Sequence, residues 1–377
     1  MAGIYIHIPF CKQACSYCDF HFSTNQALRQ ALVDALCKEI TLRKSELNTR
    51  VETIYFGGGS PSILNNRELS QIFEALQNAF DLSHAKEITL ESNPDDHSQE
   101  KLELWKSLGI NRLSIGIQSF INRDLKLMNR AHNAKEAVSC IEKAKSAGFH
   151  SMSIDLIYGI PGQSLEEWQQ NIDQAIALSP EHISAYCLTI EAKTALDHQI
   201  KQNIIAEKSD EQIEAEYLFL HHKLTKAGFN HYEISNFCKP GKEAMHNSNY
   251  WNGKPYLGIG PAAHSFDGNV KRSWNIANNP KYIKALKSGA LYSESETLSS
   301  TDRFNEEMMT GLRHHLGFDY SKYNSVLQKG LLNNLDQMPG EWRRMLSHEK
   351  ELLKLDPEHW LLTDLFLKHM FLEFPQQ

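Results

Sequence analysis

Apolar residues recur along the first half of the chain in two alternating rhythms. Short runs rich in isoleucine and leucine read as strands. Between them, apolar residues recur every three or four positions, the stripe of an amphipathic helix. Residues 3–8 predict a strand that ends at Pro9. Residues 26–48 carry Leu28, Leu32, Val33, Leu36 and Ile40 at helical spacing. Strand 52–56 runs into Gly57-Gly58-Gly59. The pattern then repeats: helix 66–80 and strand 87–92, helix 98–108 and strand 112–117, helices within 122–147 and strand 151–157, helix 165–178 and strand 182–188. Gly109 and Gly148 stand where left-handed helix C-caps are expected.

About six strand–helix units with short connections imply a parallel sheet covered by helices. A doubly wound sheet is the default for such a pattern. The residues with chemical potential favour a barrel-like curve instead. A cysteine loop, the glycine loop, Glu91, Gln118 and Asp155 all fall at or just after the C-terminal ends of predicted strands, the edge where parallel α/β folds bind ligands. After about residue 235 the alternation fails. Residues 236–268 are rich in Asn, His, Gly, Pro and aromatics, the composition of a structured loop. Helices are expected over 301–316, in pieces within 320–356, and over 361–370. The expected division is a core at 1–235, a connecting segment at 236–295 and a smaller, mainly helical domain at 296–377.

Composition narrows the picture. Of 377 residues, 41% are hydrophobic and 23% charged, ordinary for a globular protein. The net charge of −7 argues against a general nucleic-acid or anionic-membrane binder. No apolar run reaches the length of a membrane span. The first residues lack the basic start and cleavage site of a secretory leader. A cytoplasmic location is therefore expected, with any membrane role arising through a partner. A homodimer is compatible with all of this.

The chemistry starts at Cys11, Cys15 and Cys18, spaced C-x3-C-x2-C. Three thiolates on one short loop can hold three corners of a [4Fe–4S] cluster and leave the fourth iron open. The remaining four cysteines (Cys37, Cys140, Cys187, Cys238) are isolated and the total is odd, which opposes a disulfide framework. Zinc is the rival: the three cysteines with His21 or His7 make a Cys3His set. Structural zinc sites more often pair two C-x2-C knuckles, and there is no second knuckle. In Gly57-Gly58-Gly59-Ser60-Pro61, glycine lets the backbone approach a ligand. A phosphate loop does not fit, because no Gly-Lys-Ser/Thr follows. A plain tight turn stays open on this motif alone. Glu91 before Ser-Asn-Pro reads equally as a turn cap, whereas Asp155 inside an apolar strand is costly to bury without partners.

The run Tyr5-Ile-His-Ile-Pro-Phe-Cys11 with its two following cysteines resembles the radical S-adenosylmethionine (SAM) proteins. The flanking residues resemble the branch that holds oxygen-independent coproporphyrinogen III oxidase (HemN) and the heme chaperone family HemW. The resemblance spans roughly residues 3–320. It implies a partial (β/α)6 radical-SAM barrel, open on one side, with a winged-helix-like C-terminal domain. It implies a [4Fe–4S] cluster whose open iron is chelated by SAM, with Tyr5, Gly58, Gly59, Ser60, Glu91, Gln118, Arg130 and Asp155 around SAM. Gly58, Gly59 and Ser60 belong to the Gly-Gly-x-Pro element, whose carbonyls accept the SAM ammonium. Glu91 sits at the methionyl end, Gln118 and Asp155 at the ribose, and Arg130 at the carboxylate.

Within that branch the resemblance leans one way. The oxidases carry a further cysteine where this chain has Phe20, and an extension before the first strand. His246-Asn-Ser-Asn-Tyr250-Trp251 fits the H-N-x-x-Y-W element associated with heme in HemW proteins. Imidazole is a good axial ligand for heme iron, and Tyr250 and Trp251 offer flat apolar surface. A loop histidine with two aromatics in the core is the plain alternative. His264 is a weaker ligand candidate. The resemblance thus implies heme as cargo and a respiratory client hemoprotein as partner. The alternatives are the oxidative decarboxylation of coproporphyrinogen III and a zinc-stabilised fold without redox chemistry.

Overall fold

The computed structural model describes residues 2–47 and 49–373. Six strand–helix units open the chain. They are β1 (Ala2–Ile8), α1 (Arg29–Arg43), β2 (Val51–Gly58), α2 (Asn66–Ala79), β3 (Glu87–Ser92), α3 (Gln99–Ser107), β4 (Arg112–Gln118), α4 (Asn122–Leu127), α5 (Ala134–Ser146), β5 (Met152–Tyr158), α6 (Leu165–Leu178) and β6 (His182–Cys187). The strands pair in parallel and in sequence order, β1 to β6. Four of these helices, α2, α3, α5 and α6, begin at side-chain caps. Asn65, Asn133 and Ser164 each accept from the third helical N–H while Glu68, Glu136 and Glu167 return the bond, three capping boxes. Gly109 and Gly148 end their helices at φ 88° and 81°, as expected.

The two faces of this sheet differ in chemistry. Ile4, Ile6, Ile8, Ile54, Phe56, Leu90, Leu113, Ile115, Ile154, Leu156 and Ile183 are buried against the helices in one continuous core. Tyr55, Thr89, Glu91, Ser114, Gly116, Ser153, Asp155, Ser184 and Tyr186, one position out of phase on the same strands, line a cavity on the other face. Parallel strands covered on both sides normally read as unbroken apolar runs. Here a period-2 alternation inside a parallel sheet marks a polar interior.

Both ends of the sheet are extended beyond the sixth strand. After α7 (Ala195–Lys201) and α8 (Asp210–Lys226), β7 (Asn230–Glu233) and β8 (Asn236–Cys238) add antiparallel strands beside β6. After α9 (Met245–Trp251), β9 (Tyr256–Ile259) pairs parallel to β1, followed outward by antiparallel β10 (His264–Phe266), β11 (Lys271–Asn275) and β12 (Ser293–Thr297). The result is one 12-stranded sheet that does not close. Residues 236–268, expected as a structured loop, thus contain strands and a helix. Their strands are three or four residues long, too short to show a period. The helix α10 (Asn279–Lys287) covers the extension from the α1 side, where Lys38 Nζ donates to the Lys287 carbonyl.

Residues 300–373 form the smaller domain. Helices Ser300–Gly311, Ser325–Gln337 and Thr363–Met370 pack with a three-stranded antiparallel sheet of Phe318–Asp319, Leu346–Glu349 and Leu352–Leu355. The helical pieces expected within 320–356 are Ser325–Gln337 and Gly340–Arg343, and the remainder of that stretch is a hairpin at 346–355, where Lys350 at φ 55° turns the chain back. Among the described residues no helix is long and apolar enough to cross a membrane.

A buried ion network fastens the β9–β11 extension to α1. Glu39 is fully buried and Arg43 is 5% exposed, with Arg43 Nη1 donating to Glu39 Oε1 at 2.9 Å and to the Gly258 carbonyl at 2.8 Å. Gly260 N–H (2.9 Å) and Asn275 Nδ2 (2.7 Å) donate to the Glu39 carboxylate, as does the Tyr282 hydroxyl. Arg43 also pairs with Glu46, its Nη2 donating to Oε2 at 2.8 Å, so it keeps a counter-charge without Glu39, whereas Glu39 loses its cation without Arg43. Arg43→Met is expected to lower the unfolding free energy by about 3–5 kcal/mol in denaturant titration, and Arg43→Met with Glu39→Gln to recover part of it.

Candidate cofactor site in the mouth of the open barrel

The cysteine loop follows β1 directly and is held by backbone. Gly59 N–H donates to the Ile8 carbonyl at 2.9 Å and Ser60 N–H to the Phe10 carbonyl at 2.8 Å. A Cβ on Gly59 would lie 2.6 Å from the Phe10 carbonyl oxygen and 2.8 Å from that of Ile8. Only glycine permits this approach. Cys11 N–H donates to the Ser23 carbonyl, and Ser16 N–H and Oγ donate to the Met128 and Leu127 carbonyls. The loop therefore has two anchors, the end of β2 and the turn after α4.

Cys11, Cys15 and Cys18 line the rim of a cavity of about 660 Å³ that runs down into the polar interior. Seven of the eight residues expected around SAM line the same cavity: Gly58, Gly59, Ser60, Glu91, Gln118, Arg130 and Asp155. Tyr5 stands behind it, stacked on Tyr55, with its hydroxyl donating to His7 Nδ1 at 3.0 Å. Gln118 follows a bulge in β4 and adopts φ 67°. That is a rare conformation for a residue with a side chain, and one that re-aims it.

Asn93 links these groups. Its Nδ2 donates to Ser60 Oγ at 2.7 Å and its Oδ1 accepts from Arg130 Nη2 at 2.6 Å. Arg130 also donates to the Gly116 carbonyl at 2.9 Å and reaches Cys15 Sγ at 3.1 Å, while its buried Nε has no partner. Glu91 accepts from the Tyr55 hydroxyl at 2.7 Å and from Gly58 N–H at 3.2 Å. Asp155 accepts from Ser114 Oγ at 3.1 Å. Burial raises Glu91 to about 7, with the nearby Asp155 adding to the rise, and burial raises Asp155 to about 6.

The sequence reading missed Asn93, Ser114 and Tyr55. The polar phase of each strand was the signal that could have found them.

The donor set bears on what the site can hold. Among the described residues, the one group of three His, Cys, Asp or Glu whose ligand atoms all lie within 4.8 Å of one another is elsewhere, at His221, His222 and Glu358. At least one pair of the three thiols therefore stands wider apart than sulfurs sharing one tetrahedral ion, which sit roughly 4 Å from each other given Zn–S near 2.3 Å. His7 is also committed. Its Nε2 faces the His21 carbonyl at 3.1 Å, which can only accept, so Nε2 carries the proton and Nδ1 takes the Tyr5 hydroxyl. His21 Nε2 pairs with Asn279 Oδ1 at 2.7 Å. This arrangement favours three corners of a cluster on one loop over a single tetrahedral zinc.

His246 lies outside the cavity lining. It is 1% exposed, docked by Nδ1 on Thr53 Oγ1 at 2.8 Å and by Nε2 on the Tyr250 hydroxyl at 2.9 Å, and stacked on Tyr55. Its N–H caps onto Glu87 Oε1 at 2.8 Å. This differs from an imidazole free to ligate iron. α9 packs its first turn into the barrel, and burial holds the ring neutral, with a pKa lowered to about 3. Tyr250 is partly exposed, Trp251 is half-buried and His264 is exposed beside Trp274. Phe20 is 70% exposed at the cavity rim.

Comparison with known proteins fits this geometry. Residues 5–175 match the model of the radical SAM superfamily. The structure superposes on that of coproporphyrinogen III oxidase (HemN) from Escherichia coli with a TM-score of 0.85 over 98% of this chain and 90% of that one, at 22% identity. The chain is thus a radical SAM protein with a HemN-like α/β fold. The heme chaperone HemW of Bacillus subtilis (strain 168) is 32% identical over 94% of this chain and 97% of its own length. That of Lactococcus lactis is 33% identical over 96% and 93%. A mitochondrial radical S-adenosyl methionine domain-containing protein 1 from Danio rerio is 30% identical over 99% and 87%. The chain belongs to the HemW family.

The raised carboxylates make a pH test. Both groups hold protons in the folded state that they lose when unfolded, so their stabilising effect is complete below about pH 4 and is lost as pH rises through about 6 to 7. Cofactor-free wild-type protein is expected to lose stability across that window. Glu91→Gln should flatten the loss and unfold at higher temperature than wild type at pH 8, but not at pH 4.

Proposed function

We propose that this protein is a heme chaperone. It carries a [4Fe–4S] cluster on Cys11, Cys15 and Cys18, binds SAM in the adjoining cavity, and passes heme to a client hemoprotein of the respiratory chain. When bound, such a cluster offers one iron that takes the amino and carboxylate groups of SAM. The residues of the chain have separate tasks. The wide thiols hold the cluster. Arg130, whose Nη1 reaches Cys15 Sγ and whose Nε has no partner, meets a carboxylate. Asp155 and Gln118 accept and donate to ribose hydroxyls. Glu91 and the carbonyls of Gly58 and Gly59 face an ammonium, and Tyr5 steadies His7 behind them.

The observation that carries the chaperone reading is the match to heme chaperones over nearly the whole length of both chains. Phe20 in the cysteine loop supports it against the oxidase reading. Tyr250 and Trp251 supply flat surface, and His246 becomes an iron ligand only where Tyr250 releases Nε2. We place this activity in the cytoplasm, with membrane contact through the client.

Heme titration of anaerobically reconstituted protein separates the roles. Tyr250→Phe removes the hydroxyl that occupies His246 Nε2 and is expected to keep or strengthen heme binding. His246→Ala is expected to weaken it about tenfold or more. Circular dichroism of each variant controls for folding. Unchanged heme binding by folded His246→Ala removes that residue as ligand. Turnover of coproporphyrinogen III by the same wild-type sample would favour the oxidase reading instead.

A further inference from the structure

A second cluster of metal-binding side chains lies outside the cavity lining, on the seam between α8 and the C-terminal domain. His221 and His222 are consecutive on α8, and Glu358 sits in the turn Pro357–Leu362. One ring nitrogen of each histidine and a Glu358 oxygen lie within 4.8 Å of one another. His222 Nε2 and Glu358 Oε1 are 2.8 Å apart.

Behind His221 stands a buried histidine that sets its tautomer. His231 Nε2 faces the Ile234 carbonyl at 3.4 Å, and a carbonyl only accepts, so Nε2 carries the proton. His231 Nδ1 then has a lone pair. Its partner at 2.8 Å is His221 Nδ1, which must donate. His221 is left with an unprotonated Nε2. An imidazole whose far N–H is fixed by a buried acceptor is the arrangement that orients metal-ligating histidines. Two imidazoles and one carboxylate suit a borderline divalent ion such as zinc, with a further position open to water.

We propose that His221, His222 and Glu358 bind a divalent transition-metal ion, zinc by the chemistry of the donors, which pins the C-terminal domain to α8. The turn that carries Glu358 also carries Trp360, fully buried against His231 at 4.6 Å, and the Pro357 carbonyl, which accepts from the Tyr217 hydroxyl at 2.6 Å. An ion here would tighten a contact that already exists.

The test uses untagged full-length protein with its iron–sulfur cluster reconstituted, so that the thiols do not compete for zinc. Wild type, His222→Ala and Glu358→Gln are equilibrated with low-micromolar zinc sulfate and assayed for bound zinc and thermal unfolding. Both side chains are largely exposed, so the variants should fold. Wild type is expected to bind one zinc per chain and unfold at a higher temperature with it. Each variant should lose about tenfold or more in affinity, together with the thermal increment. No stoichiometric zinc on wild type, or zinc retained equally by both variants, would overturn the proposal.

Discussion

Two backbone hydrogen bonds, from Gly59 to Ile8 and from Ser60 to Phe10, hold the cysteine loop against the end of the neighbouring strand. They form only because position 59 has no Cβ. With the loop fixed there, Cys15 comes within reach of Arg130, and Arg130 in turn is braced by Asn93 and the Gly116 carbonyl at the end of β4. A displacement at Gly59 would therefore reach the far side of the mouth through one chain of contacts. The cavity beneath starts at the same edge, where Glu91 and Gln118 stand at the ends of β3 and β4, and continues back along the strands through Thr89, Ser114, Ser153 and Asp155.

The second constraint is the polar phase of the strands. Carboxylates, serines and tyrosines inside a sheet are costly unless each finds a partner. Most of them find one another, as Glu91 finds Tyr55 and Asp155 finds Ser114 and Ser153. A few do not: Thr89 Oγ1 and Arg130 Nε are buried without partners. An interior that leaves such groups open, with two carboxylates held near neutrality, is arranged for a polar, charged guest rather than for its own stability.

Much of this was legible in the residues. The β/α alternation through β6 appeared within one or two residues of its true bounds except at α1, read over 26–48 and running Arg29–Arg43, where no side-chain cap marks the start. Gly109 and Gly148 were legible as C-caps. The flanks of the sheet were not, since strands of three to five residues carry too few positions to show alternation. The helices α7 and α8 were passed over, and the hairpin at 346–355 went unnamed within a stretch read only as containing helical pieces, because its leucines and charges show no single period. Among site residues, the cysteines, Glu91, Gln118 and Asp155 were visible from motif and position. The burial of His246 was not, because it depends on Gly3, Thr53 and Glu87 lying where α9 docks, which is a tertiary fact.

We infer that Cys11, Cys15 and Cys18 leave one cluster iron for SAM held in the adjoining cavity. Electron paramagnetic resonance of the reduced, reconstituted protein, recorded with and without SAM, reads that iron. A reduced [4Fe–4S] signal is expected whose g values shift on addition of SAM, with no shift in Arg130→Met at the same SAM concentration. A wild-type signal indifferent to saturating SAM would contradict it.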